Sequence, residues 1–429
     1  MGSSLIALAR VRAYEAYTRL GFGLAARYRP LLARTTFVGV TGSCGKTTTK
    51  NLVAAVLAQR GRVTRTPGTH NAGHWVPRTL LSARPGDGFY VQEFGAMGPD
   101  SLDAPIALVR PQVAVVTNIG GDHRSAFRDI ELTAAEKRKL VEAVPADGIA
   151  VLNADDPRVL AMAAACRGRV ITYGVAQTAD VRAERVSSAW PAHLSFVVRH
   201  GSESAIVGTR FNGVHFAHAC LAAIATGLAL GVPLEEAVGA VAQVEPWPGR
   251  LSEVTVDGVT FIRDEVKSPL WTVAPALEFL RTAQASRRVA VIGTISDFPG
   301  SMSRAYSSAA RLALDAADEV IFVGRQAERA NGARSHARGA ALRIFTTARE
   351  ASAYLARTLR PGDLVLLKGS QRADHLLRLI HARTEEVVCW RTGCRRLKFC
   401  DQCLLRRVPE LRVPRLGRIA VAPPEAADA

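Results

Sequence analysis

A glycine-containing segment near the start of the chain offers phosphate chemistry. The segment consists of Gly42, Ser43, Cys44, Gly45, Lys46, Thr47 and Thr48. An apolar stretch at 37–41 precedes it and an apolar run to Gly61 follows it, which predicts a strand, a tight turn and a helix. Backbone N–H groups at such a turn bind phosphates. Lys46 would reach the terminal phosphates and the Thr47 hydroxyl would bind Mg²⁺, although Val40 stands where the common phosphate-loop pattern has glycine.

Two further apolar stretches end in polar side chains that suit a metal–phosphate site. Residues 89–92 precede Glu93, and residues 113–117 precede a turn that leads to Asp122 and His123. A lone glutamate or histidine is more often structural. The carboxyl ends of parallel strands meet at one edge of a sheet, however, and ligands bind there. We therefore expect Glu93 and His123 to lie beside the phosphate segment and to bind Mg²⁺.

Composition excludes several classes of protein. The chain has 429 residues, enough for about three units of roughly 150 residues each. Its net charge of +17 comes mostly from arginines scattered along the chain, with only seven lysines, so no nucleic-acid partner is expected. No apolar run is long enough for a transmembrane span and no signal peptide is recognisable, which favours a cytoplasmic location.

Residues 1–36 are prone to form a helix. Partial amphipathicity comes from Leu5, Leu8, Val11, Tyr14, Leu20 and Leu24. Two interpretations fit this pattern: a helix that binds a membrane surface or a partner, and a helix that packs on the body of the protein. The moderate amphipathicity favours the packed helix.

Four of the seven cysteines are concentrated near the end of the chain. They are Cys389, Cys394, Cys400 and Cys403. Their spacing suits a tetrahedral structural Zn²⁺ site, and such a site could also bind a protein partner. The alternatives are four unrelated thiols and a redox role for the last two cysteines. The rarity of cysteine elsewhere favours the zinc site.

Taken in order, the motifs resemble those of the Mur ligase family, which joins amino acids or peptides to a carboxylate with ATP. The resemblance covers about residues 37–385. Besides the phosphate segment, Glu93 and Asp122-His123, it rests on Asn118-Ile119-Gly120, Ala135-Glu136-Lys137, Asn153-Ala154-Asp155-Asp156, Gly213-Val214-His215, Pro248-Gly249-Arg250-Leu251 and Lys368-Gly369-Ser370. The polar loop at 66–77 and the Lys-Gly-Ser ending are most similar to the MurF-type branch, the D-alanyl-D-alanine-adding ligases.

The resemblance implies roles for individual residues. Catalytic roles fall on Lys46, Lys137, His123 and Arg250. Lys46 would bind the β- and γ-phosphates, and Thr47, Glu93 and His123 would bind Mg²⁺. Lys137 matches a lysine that is carbamylated in the family and supports the second metal ion. The residues that would bind ATP are Gly42, Ser43, Cys44, Gly45, Lys46, Thr47, Thr48, Arg250 and Asp264.

The family resemblance also implies the architecture. We expect an α/β protein with a Mur-ligase-like central P-loop ATPase domain, a C-terminal Rossmann-like domain and a short four-cysteine tail. The expected boundaries are 1–36 for the N-terminal helical segment, 37–248 for the ATP-binding domain, 249–388 for the C-terminal domain and 389–429 for the tail. The alternation of strands and helices between 251 and 380 independently predicts the Rossmann-like sheet.

Three departures from the family pattern bear on the substrate and the nucleotide. Residues 1–36 are too short for the family's UDP-sugar-binding domain, so a UDP-linked substrate is in question. Phe216 and Ala219 replace two asparagines that are expected after His215. Glu265 replaces the aromatic residue that is expected after Asp264, so packing on the nucleotide base should differ.

The predicted function is an ATP- and Mg²⁺-dependent, ADP-forming ligase that joins a carboxylate to an amine through an acyl phosphate. A structural Zn²⁺ would stabilise its tail. The first alternative is a ligase that extends a polyglutamate-type chain. The second is a catalytically weak, nucleotide-binding scaffold subunit whose tail recruits a partner.

Overall fold

A computed structural model describes residues 2–121, 124–336, 341–392, 394 and 399–403. Within these ranges there are thirteen α-helices and fifteen β-strands. The helices are α1 (Gly2–Tyr28), α2 (Lys46–Leu57), α3 (Val76–Leu80), α4 (Asp103–Val109), α5 (Arg124–Phe127), α6 (Ile130–Glu142), α7 (Pro157–Leu160), α8 (Ala217–Ala229), α9 (Leu234–Ala242), α10 (Val273–Thr282), α11 (Met302–Ala316), α12 (Ala348–Thr358) and α13 (Leu377–His381). The strands are β1 (Thr36–Thr41), β2 (Val63–Arg65), β3 (Phe89–Glu93), β4 (Val113–Val116), β5 (Ile149–Asn153), β6 (Arg169–Gly174), β7 (Val181–Ser187), β8 (Ser195–His200), β9 (Glu203–Gly208), β10 (Ser252–Val256), β11 (Val259–Asp264), β12 (Arg287–Ile292), β13 (Glu319–Val323), β14 (Ala341–Phe345) and β15 (Asp363–Lys368).

The first sheet contains nine strands in the order β2-β3-β1-β4-β5-β6-β7-β8-β9. All neighbours from β2 to β7 are parallel, whereas β7, β8 and β9 form an antiparallel extension. The parallel strands β3, β4 and β5 are buried throughout because helices cover both faces, which explains their continuous apolar sequences. This topology brings the carboxyl ends of β1, β3 and β4 together.

The second sheet contains six strands in the order β10-β11-β15-β12-β13-β14. Only the β10–β11 pair is antiparallel. Register pairs Asp264 at the end of β11 with Lys368 at the end of β15, and Lys368 with Ile292 at the end of β12. The two sheets confirm the predicted α/β architecture. The antiparallel extension from β7 to β9 was not predicted.

The region of the first sheet and the region of the second are joined by apolar and polar contacts. One cluster of buried apolar side chains includes Val40 from the first sheet and Ile292 from the second. The Trp190 indole donates to Glu253 Oε2 at 3.2 Å, and the Gln284 N–H donates to the Trp190 carbonyl at 2.8 Å. Among the described helices, none combines the length and apolarity needed to cross a bilayer.

Candidate active site

Two glycines give the phosphate segment its sharp turn between β1 and α2. Gly42 has φ of 141°, and a Cβ there would lie 1.9 Å from Thr117 Oγ1. Gly45 has φ of 76°, in the left-handed region, immediately before α2 begins. The turn therefore forms without a glycine at Val40, which is buried in β1. Half-buried Lys46 folds over the turn and donates to the Gly42 carbonyl at 2.5 Å.

Hydrogen bonds attach the phosphate segment to the loop after β4. The Ser43 and Cys44 N–H groups donate to the carbonyl and side-chain oxygens of Asn118, both at 2.9 Å. The Gly120 N–H donates to Ser43 Oγ at 2.8 Å. The shape of the segment is thus fixed by protein contacts. Asp122 and His123, which follow this loop, lie outside the described residues.

The structure brings the predicted metal ligands Thr47 and Glu93 into contact. Thr47 Oγ1 donates to Glu93 Oε1 at 3.1 Å, and Asn71 Nδ2 donates to the same oxygen at 2.8 Å. The other carboxylate oxygen, Glu93 Oε2, is buried and has no hydrogen-bond partner. Its ionic partner is Lys50, whose Nζ lies 3.7 Å away. A carboxylate oxygen that accepts no hydrogen bond, beside a threonine hydroxyl, fits the oxygen ligands that Mg²⁺ prefers.

Lys50, which is fully buried on α2, was not among the site residues predicted from the sequence. Its ammonium donates to the carbonyls of Thr66 at 2.8 Å and Gly68 at 2.6 Å. Burial lowers the pKa of Lys50 to about 8. Lys50 thus connects the polar loop at 66–77 to the Glu93 carboxylate. Lysine is rare in this chain, with seven in all, so its occurrence at position 50 could have indicated a specific role.

Helix α6 places Lys137 in the protein interior. The Glu136 carboxylate accepts from the Asp100 N–H at 2.9 Å and the Leu102 N–H at 2.8 Å, which fixes the helix against the start of α4. Lys137, the next residue, is fully buried. Lys139 forms ion pairs with Asp100, Asp103 and Glu136 at 2.7 to 3.0 Å, so its ammonium offsets part of the negative charge of this acidic group.

The second sheet contributes Asp264, Lys368 and Arg250. Buried Lys368 donates to Asp264 Oδ2 at 2.6 Å, across the parallel register of β11 and β15. Arg250 follows Gly249, where a Cβ would lie 2.7 Å from the Val266 side chain. The turn before β10 therefore packs on the segment after β11. Arg250 and Asp264, both predicted to bind ATP, belong to the same region of the fold.

The residues that depart from the family pattern lie in apolar or ion-paired surroundings. Phe216 and Ala219 are buried in the core cluster, so apolar contacts replace the expected amides there. Glu265 is buried, and its Oε1 accepts from Arg263 Nη2 at 2.7 Å. Burial raises the pKa of Glu265 above its usual range. His215 is solvent-exposed and interacts electrostatically with Asp264.

Stability should depend on pH through Glu265. Because the folded-state pKa lies above the ordinary value of 4.5, the folded chain keeps a proton that the unfolded chain has released. We expect wild type to gain stability relative to Glu265→Gln as the pH falls from neutral towards 4.5. Urea unfolding of both proteins across this range measures the difference. A difference that stays constant, or that grows with rising pH, would contradict the burial effect.

Two polar clusters near the site form contacts that were not predicted from the sequence. Asp155 accepts from His218 Nε2 at 2.7 Å and from the Val175 N–H at 2.7 Å, which joins α8 to the loops after β5 and β6. Asp374 accepts from the Thr294 N–H at 2.7 Å and the Ser370 N–H at 2.8 Å, which joins the loops after β12 and β15. Asp155 lay within a recognised motif, whereas no sequence signal indicated the role of Asp374.

The described part of the four-cysteine tail packs against the second sheet. Arg378 donates to the carbonyls of Cys389 at 2.9 Å and Arg391 at 3.1 Å. Cys400 Sγ lies 3.5 Å from His375 Nδ1, and burial raises the pKa of the Cys400 thiol to about 12. Within the described residues, one group of three or more side chains has metal-ligating atoms within 4.8 Å of one another. That group is Asp100, Asp103 and Glu136, so the cysteine sulfurs are not gathered as tightly.

Comparison with protein families gives two matches. Residues 40–227 match the Mur ligase middle domain, and residues 249–371 match the Mur ligase glutamate ligase domain. The first match contains the phosphate segment, Glu93 and Lys137, and the second contains Arg250 and Asp264.

The chain is also similar to individual proteins of this kind. The chain is 33% identical over 366 residues to UDP-N-acetylmuramoyl-tripeptide–D-alanyl-D-alanine ligase of Mycobacterium tuberculosis strain CDC 1551 / Oshkosh, covering 79% of this chain and 71% of that protein. The Bacillus subtilis protein of the same name is 27% identical. Among solved structures, MurF from Acinetobacter baumannii is 26% identical with a TM-score of 0.78, covering 87% of this chain and 81% of that one. MurF from Thermotoga maritima in complex with ADP has a TM-score of 0.73 at 22% identity and shares the fold.

Proposed function

Because this chain belongs to the Mur ligase family and is a MurF-like, ATP-dependent, ADP-forming amide ligase, we propose that it works through an acyl phosphate. The substrate carboxylate attacks the γ-phosphate, which releases ADP. The amine then attacks the acyl carbon, and phosphate leaves. The protein's contribution is to position the reactants and to neutralise their charge.

The contact between Thr47 and Glu93 is the main observation that supports this proposal. These side chains sit where the turn before α2 meets the end of β3, and a buried Glu93 oxygen lacks a hydrogen-bond donor. A Mg²⁺ ion held there would neutralise charge on the phosphates of ATP. Lys46, at the mouth of the turn, would hold the β- and γ-phosphates.

Further roles belong to the same proposal. Lys137 would carry a carbamate, and with His123 it would hold a second Mg²⁺. A carbamate converts a buried cation into an anion that can bind metal, which suits the full burial of Lys137. Arg250 and Asp264 would hold the nucleotide where the two sheets meet. Trp271, which follows β11, lies against Gly120 in the loop after β4, beside the phosphate segment. This contact supports a nucleotide site between the two sheets.

The substrates are proposed by class. The M. tuberculosis relative is named for a UDP-N-acetylmuramoyl-tripeptide and D-alanyl-D-alanine. We infer an amino-acid or peptide carboxylate and an amino-acid or dipeptide amine for this chain.

The direct test is release of ADP and phosphate by the purified full chain with Mg²⁺-ATP. A panel pairs peptide and carrier-linked carboxylates, including the UDP-linked tripeptide, with amino-acid and dipeptide amines, and Lys46→Ala is the blank. We expect release that requires both a carboxylate and an amine, with a new amide detected by mass spectrometry. ATP binding without turnover on any pair would instead support a scaffold subunit.

For the tail, we propose that Cys389, Cys394, Cys400 and Cys403 bind one structural Zn²⁺ ion. Zinc binding would require the thiolate form of Cys400 and would draw the four sulfurs together. The spacing of the cysteines and the docking of Cys389 by Arg378 support this arrangement. The same tail surface would then be available to a protein partner.

The zinc proposal predicts a metal content. Protein purified under reducing conditions should carry about one zinc ion per chain, and Cys400→Ser should lose most of it. Cys166→Ser, at a half-buried cysteine far from the tail in sequence, should retain it. Elemental analysis provides the measurement. Zinc-free wild-type protein, or full zinc retention by Cys400→Ser, would refute the site.

A further inference from the structure

An exposed apolar face runs along α1 and the turn that follows it. We define the α1 face as Tyr17, Leu20, Leu24 and Leu31. Tyr17, Leu20 and Leu31 are more than 60% exposed, and Leu24 is 47% exposed. The first three positions of the face follow the i, i+3, i+7 spacing that places side chains on one side of a helix. Large apolar side chains that are exposed together along one side of a helix mark a candidate interaction site.

The α1 face is exposed although the other side of the same helix is firmly packed. On that other side Ala25 is fully buried and Phe22 packs against the core, and Tyr28, the last residue of the helix, also packs there. The Tyr28 hydroxyl donates to the Ala83 carbonyl at 2.8 Å. A helix that only needed to cover the protein body would carry polar residues on its outer side. The outer leucines therefore need another explanation.

The surroundings of the α1 face are strongly basic. Arg12, Arg19, Arg27 and Arg34 are all exposed. Glu15 is the only acidic residue in the first 86 positions of the sequence. A second copy of the same face would bring like charges together, which disfavours self-association. An apolar strip flanked by arginines instead matches a surface with negative headgroups above a hydrocarbon layer.

We propose that the α1 face docks the protein on an anionic lipid surface. The leucines and Tyr17 enter the boundary between headgroups and acyl chains, with α1 lying in the plane of the surface. The exposed arginines pair with lipid phosphates while their methylene stems cover apolar surface. This interaction is additional to the ligase activity and does not depend on it.

The test is flotation of the purified full chain with vesicles. One vesicle type contains phosphatidylcholine alone, and the other contains about one third phosphatidylglycerol. We expect binding to the anionic vesicles, much weaker binding to the neutral ones, and loss of binding as salt rises towards about 0.5 M. Free phosphate and soluble glycerol phosphate serve as competitors. Failure to bind anionic vesicles at low salt would overturn the proposal.

Matched variants separate the apolar and the charged contributions. Combined Leu20→Ser, Leu24→Ser and Leu31→Ser changes should reduce partitioning at least tenfold. Ile206→Ser, Leu312→Ser and Leu160→Ser remove three exposed apolar side chains from other surfaces and should leave partitioning unchanged. Arg19→Gln with Arg27→Gln should weaken binding by about fivefold per arginine.

Circular dichroism and ATP turnover establish that each variant is folded, since no altered residue belongs to the catalytic site. Equal binding by the leucine variant and wild type would overturn the proposal. The proposal would also be overturned if wild type did not bind vesicles and light scattering showed a dimer that the leucine variant loses. A second copy of the chain would then cover the α1 face. Capture of an acidic protein in place of vesicles would equally contradict the lipid assignment.

Discussion

Lys46→Ala is expected to reduce ATP turnover by about 10²–10³-fold, because a preorganised cation at the transferring phosphoryl group is lost. Lys46 lies at the mouth of the phosphate turn, where its ammonium donates to the carbonyls of Gly42 and Ser43. Removing it should therefore leave the fold intact. Initial rates of ADP release at saturating substrates, with circular dichroism in parallel, measure the effect.

Arg60→Ala provides the control for Lys46→Ala. Arg60 follows the far end of α2 and forms a partly exposed ion pair with Glu236 at 3.2 Å. Its loss should change turnover less than twofold, since Arg60 lies at the opposite end of α2 from the phosphate segment. Comparable turnover by Lys46→Ala and wild type would show that the phosphate segment does not serve the reaction.

Lys50→Met is expected to destabilise the protein by about 3–5 kcal/mol, the usual effect of breaking a buried ion pair. Methionine fills a similar volume but leaves Glu93 as an uncompensated buried charge. It also removes the donor to the Thr66 and Gly68 carbonyls. Urea unfolding without Mg²⁺ measures the free energy of unfolding.

A double variant separates charge from packing. Adding Glu93→Gln to Lys50→Met removes the unpaired charge and should recover part of the lost stability. Arg60→Met, at an exposed pair, should cost about 1 kcal/mol or less. A Lys50→Met protein as stable as wild type, or no recovery in the double variant, would show that the two residues are not coupled.

Local features of the site could be predicted from the sequence because they depend on neighbouring residues. The turn at Gly42 and Gly45 and the start of α2 at Lys46 follow from steric freedom and from order along the chain. The apolar strands that end at Glu93 and Asp264 were recognisable from their unbroken hydrophobic runs. Contacts between segments that are far apart in the sequence were harder to predict from it. Thr294 and Asp374 are 80 positions apart, and His218 and Asp155 are 63 apart.

By itself, the sequence determined the α/β class, the phosphate turn and which side chains would gather at strand ends, since strand and helix periods and glycine conformations act over a few residues. Only the tertiary structure decided that Lys50 neutralises Glu93, that Glu265 pairs with Arg263 and that the outer side of α1 stays uncovered. Burial and pairing depend on which surfaces meet after the chain folds. A linear pattern specifies which side chains are apolar or charged, but the packing of distant elements determines which of them lose contact with water.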